Sequence, residues 1–383
     1  MTDSIPESGE TVAAPYERGV RVGILGGGQL ARMLALGGHP LGARFVTLDP
    51  APDACAGAVS RHIVGGYSDR AKLEQLSEVV DVVTYEFENI PEESAAYFAW
   101  KLMPVYPPMR ALSVSQDRLK EKTLFRELGI PTPEFRVVDS IDDLKTAVHE
   151  VGMPAVLKSR TMGYDGKGQS LVKTVDCIDD AWKQVGGVDC ILESFVSFTR
   201  EISVIAVRSR DGDIKFYPVG ENTHHKGILH HSLIVNGNND PMQKMAEDYG
   251  ERLLDYFGYV GVLALELFDV GGTLVANEIA PRVHNTGHWT IEGAVTSQFE
   301  NHIRAITGLP LGDTSATGFS GMVNFIGAIP DAAAVLKIKG AHLHDYGKEA
   351  KPGRKLGHCT IYGDTKNEVI AGMNELLKIT DGV

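Results

Sequence analysis

Long apolar runs are absent from this 383-residue chain. The strongest, "VGVLALELF" at 260–268, is about half the length a bilayer requires and carries Glu266, so no membrane partner is expected. Cysteine is scarce. Cys55, Cys177, Cys190 and Cys359 lie far apart with no C-x-x-C pair, which argues against a disulfide frame or a thiolate zinc site and fits a reducing compartment. Lys/Arg-rich runs are also missing, and a formal charge of -13 would oppose a nucleic-acid surface. The first eighteen residues, "MTDSIPESGETVAAPYER", lack the basic start and apolar stretch of a secretory signal. They read as a flexible polar tail, and a cytoplasmic location is expected. What remains is small-molecule chemistry on a chain long enough for two or three domains.

What is present begins with "GILGGGQLARML" at 23–34. Gly26, Gly28 and Ala31 take the G-x-G-x-x-A spacing after an apolar strand, and Asp49 closes "RFVTLD" farther on. This is the pattern of a strand, turn and helix that receives a dinucleotide pyrophosphate. A dehydrogenase is one reading; another phosphate at the same helix N-terminus is the alternative. From Val20 to about Ser115 apolar strands alternate with helical stretches, which predicts an open α/β domain with about four parallel strands. The passage "MPVYPPM" at 103–109 marks a boundary, and "SQDRLKEKTLFRELGI" reads as a helix stopped by Gly129 and Pro131. A compact α+β unit follows at about 153–215, with the composition of a lid.

The most informative chemistry is in "GVLALELFDVGGTLVANEIAPRVHN". With a turn centred near Gly272, antiparallel partners have residue numbers adding to about 544, which sets Glu266 opposite Glu278. Two like charges opposed in apolar strands are costly unless protonated or bridged by a cation. A hard divalent ion shared with phosphates, most simply Mg²⁺, resolves the conflict. Asn277 and Asn285 are further oxygen donors. The run "HHKGILHH", with His224, His225, His230 and His231, offers a competing metal cluster without cysteines or a helical His-x-x-x-His pattern.

In "VLKSRTMGYDGKGQ", Gly163, Gly166 and Gly168 flank Tyr164, Asp165 and Lys167. A loop of this kind can close over phosphates with backbone N–H groups and the lysine charge. It lacks the G-x-x-x-x-G-K-[ST] order of a P-loop. Lys158 on the preceding strand and Arg118 on the earlier helix supply further cations.

At this point the residues resemble the ATP-grasp enzymes and, among them, the N5-carboxyaminoimidazole ribonucleotide synthetase family. The resemblance runs from about 20 to 375 and is carried by "GGGQLARML", "TYEFENIP", "GYDGKGQ", "ESFVSFTREISV", "NEIAPRVHNTGHWT", "SQFENHIRAITGLPLG" and "KPGRKLGH". It implies an ATP-grasp fold, α/β and α+β. The implied parts are an N-terminal open parallel α/β domain at 19–115, an ATP-grasp domain at 116–320 with its lid, and a small β-rich C-terminal domain at 321–383. ATP and Mg²⁺ are the implied cofactors; 5-aminoimidazole ribonucleotide and bicarbonate are the implied substrates; a homodimer is the implied assembly.

The resemblance also implies roles. Arg118, Lys158, Gly163, Gly166, Gly168, Gln169 and Asn277 would serve ATP, and the strand through Glu193, Ser194, Phe195 and Val196 would read adenine. Glu201 would take the ribose, His224 would lie in the same site, and Glu266 and Glu278 would hold Mg²⁺. Arg282 and Asn285 would hold an anionic carboxyphosphate, with Tyr164, Asp165 and Lys167 acting near the accepting amine. Gly28, Gln29, Leu30 and Glu86 would face the ribonucleotide, and Lys348, Arg354 and Lys355 its phosphate. Val283 departs from the proline usual in the family, and Thr286 from its serine. A formate-dependent glycinamide ribonucleotide transformylase of the same superfamily, or a nucleotide-binding protein without turnover, are the rival readings.

Overall fold

The computed structural model describes residues 19–163, 166–234 and 237–380. The tail at 1–18 and the two loop residues Tyr164 and Asp165 lie outside the described residues.

Four short apolar strands open the chain and pair in parallel in the order Arg61–Val64, Arg44–Asp49, Arg21–Leu25, Val82–Tyr85. Apart from their terminal charged residues the strands Arg21–Leu25, Arg44–Asp49 and Val82–Tyr85 are buried on both faces, as continuous runs such as "VVTY" demand of a parallel sheet, while the edge strand Arg61–Val64 buries only Ile63. The chain leaves Arg21–Leu25 on one side and returns on the other with Val82–Tyr85. The carboxyl ends of these two neighbours therefore form the crevice where open α/β sheets bind ligands.

A second sheet, antiparallel, runs Phe135–Val138, Cys190–Ser194, Ala155–Ser159, Gln169–Val172. Helices Ile141–Val151 and Ile178–Gln184 cover it through Leu144, Val148, Ile178 and Ala181. The lid expected at about 153–215 is corrected at both ends: the unit takes in Phe135–Val138 and closes at Ser194. The strand Arg200–Arg208 is the physical reason. Its run of buried residues from Ile202 to Val207 seats it in the large sheet, against Gly261–Val270.

That large sheet orders its strands Thr273–Ala280, Gly261–Val270, Arg200–Arg208, Gly220–His225, Ile228–Ile234, Phe319–Ile326, Lys355–Gly363, Ala341–Asp345, with Ile214–Phe216 beside Arg200–Arg208. The C-terminal region keeps a core of its own around Val323, Phe325, Ile361 and Leu376. Its first strand nevertheless pairs with Ile228–Ile234, so its hydrogen bonding is continuous with the central sheet.

His302, on helix Gln298–Thr307, ties the N-terminal sheet to the central one. Its Nδ1 accepts from the Val262 N–H at 3.1 Å, and its Nε2 meets Thr84 Oγ1 at 2.9 Å. Burial pushes its pKa down to about 3. A histidine held neutral this way contributes stability that is full above its unfolded value near 6.5 and is lost as the pH falls from there toward 3. By pH 5 the loss from this group is about 2 kcal/mol. Urea titrations at pH 7.5 and pH 5 are expected to show that much less pH dependence in His302→Gln than in the wild type; equal slopes would refute it.

Candidate active site

The glycine turn after Arg21–Leu25 is already filled by two of the chain's own carboxylates. Glu86, at the end of Val82–Tyr85, accepts the N–H of Gly28 and, at 3.0 Å, that of Ala31. Asp49 accepts the Gly27 N–H at 2.9 Å and the Tyr67 hydroxyl at 2.6 Å. A carboxylate therefore caps the helix Gln29–Gly38 where a pyrophosphate would bind, and the acid expected on a ribose is spent on the turn. The dehydrogenase reading fails on this geometry. Burial raises the Glu86 pKa against these two hydrogen bonds. Leu30 is packed in the core, and the Gln29 side chain accepts from Lys348 Nζ at 3.0 Å. A lysine 319 positions away thus closes onto the turn.

Glu266 and Glu278 face each other across the hairpin, as the spacing predicts. The reason differs in detail. Val270 pairs with Thr273 across a two-residue Gly271-Gly272 turn, and a regular ladder from there would set Asn277 opposite Glu266. A bulge at Asn277 inserts one residue and restores Glu278 to that position. Burial follows it: Leu274, Ala276 and Ile279 point into the core, while Asn277 and Glu278 both lie partly exposed.

Arg118 donates to Glu278 Oε2 at 3.1 Å, and His284 Nε2 lies 3.5 Å from Glu266 Oε1. Burial, then the neighbouring Glu278, push the Glu266 pKa up to about 7. Burial acts most strongly on Glu278 too, but Arg118 with Lys158 and Lys122 together outweigh it and hold that carboxyl below its usual value. Their side chains are 14% and 42% exposed, so the face they share opens to solvent. Two opposed carboxylates and an amide oxygen on one face fit a hard divalent cation whose other ligands are phosphate oxygens and water.

Glu201 and His224 form an ion pair, and with Asn222, Glu266, Phe268 and Asn277 they line a narrow pit. Burial opposes the charge on His224, yet Glu201 and Glu266 raise its pKa. His230 Nδ1 meets His231 Nδ1 at 3.0 Å, so the histidine run divides between a carboxylate partner and its own members.

On the lid, Lys158 Nζ donates to Glu193 Oε2 at 2.7 Å. Gly163 lies against the Arg118 guanidinium, Gly166 packs on the backbone of Gly227, Gly168 sits on Ser159, and Gln169 opens the last lid strand. Lys167 lies between these glycines and is exposed. The N–H groups of Ser194 and Phe195 are spent on the carbonyls of Glu134 and Pro154, with Val196 following them.

Arg282 leaves the carboxylate hairpin to pair with Glu88 of "YEFEN", across to the N-terminal domain, and donates to the Val283 carbonyl at 2.8 Å. Asn285 exchanges two hydrogen bonds with Asn324, at 2.9 and 2.8 Å, so its amide is largely committed inside the protein. Arg354 donates to the Glu349 carbonyl at 3.1 Å. Lys355 acts electrostatically on Glu266 and His284, which puts it on the carboxylate side of the cluster.

Sequence reasoning missed Lys122, whose side chain is 0% exposed and lies 3.3 Å from Glu193. The signal was present in "DRLKEK": Arg118, Glu121 and Lys122 stand at i, i+3 and i+4, one face of a helix. His284 was missed because nothing local announces its approach to Glu266.

A lid sheet carrying a paired lysine, a glycine loop over an arginine, and two opposed carboxylates on a central antiparallel sheet define an ATP-grasp enzyme. Three family models match in succession: the ribonucleotide synthetase preATP-grasp domain at 20–116, the ATP-grasp domain at 123–299, and the phosphoribosylaminoimidazole carboxylase C-terminal domain at 320–372. The chain is 54% identical to the N5-carboxyaminoimidazole ribonucleotide synthase of Pseudomonas aeruginosa over 89% of this chain and 94% of that one. It is 39% identical to the Bacillus subtilis enzyme of the same name, over 95% and 97%. The Thermus thermophilus N5-carboxyaminoimidazole ribonucleotide synthetase structure superposes with a TM-score of 0.90 at 52% identity, covering 94% of this chain and 99% of that one. The Aspergillus clavatus enzyme in complex with ADP and 5-aminoimidazole ribonucleotide gives 0.89 at 31%, covering 96% and 100%. The chain belongs to the N5-carboxyaminoimidazole ribonucleotide synthase family.

Proposed function

We propose that this chain carboxylates 5-aminoimidazole ribonucleotide at its exocyclic amine, consuming ATP and bicarbonate and releasing ADP and phosphate. The observation that carries the reading is the Arg282–Glu88 pair, which joins the end of the carboxylate hairpin to the ligand crevice of the N-terminal sheet. One arginine thus stands between the ATP side and the nucleotide side.

In this reading Arg118 and Lys158 bind the ATP phosphates under the loop at 163–169, while Glu201 and His224 take the ribose end. Adenine is read by the backbone from Glu193 through Val196, by carbonyls and by Val196 rather than by the committed N–H groups of Ser194 and Phe195. Mg²⁺, held by Glu266 and Glu278 with Asn277 beside them, would neutralise phosphate charge during transfer. Bicarbonate oxygen attacks the γ-phosphorus, the bond to ADP breaks, and carboxyphosphate forms. Arg282, Lys355 and His284 surround that anion. The substrate amine then takes the carboxyl carbon, phosphate leaves, and the amine loses a proton; Tyr164, Asp165 and Lys167 belong to this step through the resemblance. Gln29, Lys348 and Arg354 hold the ribonucleotide beside the turn that Glu86 braces, and Asn285 supports the arginine strand through Asn324. A homodimer is part of the reading on the resemblance alone.

Phosphate release from MgATP tests it. Release that requires 5-aminoimidazole ribonucleotide and bicarbonate, with acid-labile carbon incorporated, is the expected result. A requirement for glycinamide ribonucleotide and formate would overturn the substrate assignment, and no release under any condition would leave a binding protein.

A further inference from the structure

The bulge that brings Glu278 opposite Glu266 lies on the edge strand of the large sheet, where among the described residues no further strand pairs and the Ala276 N–H goes instead to the Pro131 carbonyl at 2.7 Å. The apolar pattern demands an extra residue there: Leu274, Ala276 and Ile279 must all reach the core. It does not satisfy the backbone groups that the insertion strands. Helix Arg118–Glu127 does. Lys122 Nζ donates to the Ala276 carbonyl at 3.2 Å and to the Asn277 carbonyl at 2.6 Å. Glu121 Oε1 accepts the Ile279 N–H at 2.7 Å. One helix face therefore touches the strand at the residue before the insertion, at the inserted residue and two residues beyond it.

The helix is itself fixed. Asp117 caps it through the Leu119 N–H at 2.9 Å and is held by Arg160 at 2.7 Å. Lys122 further bonds Glu193, the partner of Lys158, so the clamp also reaches the strand that carries the adenine-side residues.

We propose that Lys122 and Glu121 are positioning residues that hold the Asn277 bulge and thereby aim Asn277 and Glu278 at the metal. The inference deepens, and rests on, the reading of Glu266 and Glu278 as the metal pair. Neither residue need touch ATP. A buried lysine on two carbonyls is a strong contact; Thr132 Oγ1 also reaches the Ala276 carbonyl, at 3.5 Å, so the Asn277 carbonyl is the one that leans most on Lys122. Deleting Asn277 makes the ladder regular: Glu278 then faces Glu266 and Ile279 still enters the core, without any bulge to hold.

The test is Mn²⁺ affinity of the ADP complex, followed by electron paramagnetic resonance, alongside ADP binding in EDTA by calorimetry. Lys122→Met is expected to lower Mn²⁺ affinity about tenfold or more, with ADP affinity in EDTA changing less than about threefold. Placed on the Asn277 deletion, the same substitution is expected to add less than about threefold to the loss caused by the deletion. Wild-type Mn²⁺ affinity in Lys122→Met, or a full additional loss in the double variant, would overturn the proposal. Should Lys122→Met not fold, Glu121→Gln keeps an acceptor for Ile279 and is expected to stay within about threefold, while Glu121→Leu loses about fivefold or more. Equal effects of the two would refute the clamp. A wild type whose ADP binding is indifferent to Mn²⁺ would instead refute the metal pair, and the proposal with it; a wrong nucleotide substrate changes none of these readouts.

Discussion

Glu278→Gln is expected to reduce ATP-dependent phosphate release by about 10³-fold or more while leaving the fold intact. Glutamine keeps the size and one acceptor oxygen but removes the charge that Arg118 and Glu266 contest. In the folded chain the two carboxylates repel, and burial with Glu278 holds Glu266 up to about 7. Removing the charge relieves that repulsion but leaves the largely buried Arg118 without its partner, and because Glu278 is held below its usual pKa the melting temperature should fall modestly. On the proposed metal reading, the divalent ion would lose one of its two carboxylates. Activity therefore falls far more than a modest loss of stability accounts for, which a merely structural glutamate would not produce. Turnover within tenfold of the wild type in Mg²⁺ would refute the assignment.

Gly26→Ala should have the largest effect on stability. Gly26 has φ +109, a conformation that side chains rarely adopt, and its added Cβ would overlap Glu86 Cγ. Glu86 cannot retreat, because it is spent on the Gly28 and Ala31 N–H groups. Strain and overlap together are expected to cost about 2–4 kcal/mol. The ribonucleotide KM should rise as the crevice distorts. Gly66 provides the control, since a Cβ there meets nothing within 4 Å; Gly66→Ala should fall within about 0.5 kcal/mol of the wild type. Urea midpoints for the two variants that coincide would show that the turn tolerates a side chain.

How much of this was legible before folding depends on the distance over which each residue acts. The parallel sheet of about four strands followed from local alternation, and Glu266 and Glu278 were paired by counting from the turn. The count succeeded through a compensating detail, a turn centred half a residue earlier and a bulge at Asn277. The adjacent polar residues Asn277 and Glu278 between Ala276 and Ile279 were its trace in the sequence, since a regular strand would have sent Glu278 inward. The lid limits were misjudged because strands of similar composition, Phe135–Val138 and Arg200–Arg208, divide between two sheets by pairing partner.

Local periodicity, turn chemistry and motif spacing, all properties of neighbouring residues, by themselves determined the open α/β domain, the carboxylate hairpin and the glycine loop; the ATP-grasp fold and the family came from the resemblance of whole motifs. Tertiary structure alone decided that Asp49 and Glu86 fill the glycine turn, that Lys348 reaches Gln29, that Arg282 crosses to Glu88, and that Lys122 sits beneath the bulge. These are pairings of charge and backbone between segments far apart in the chain. Their energies depend on burial and mutual distance, and neither exists until the sheets have packed.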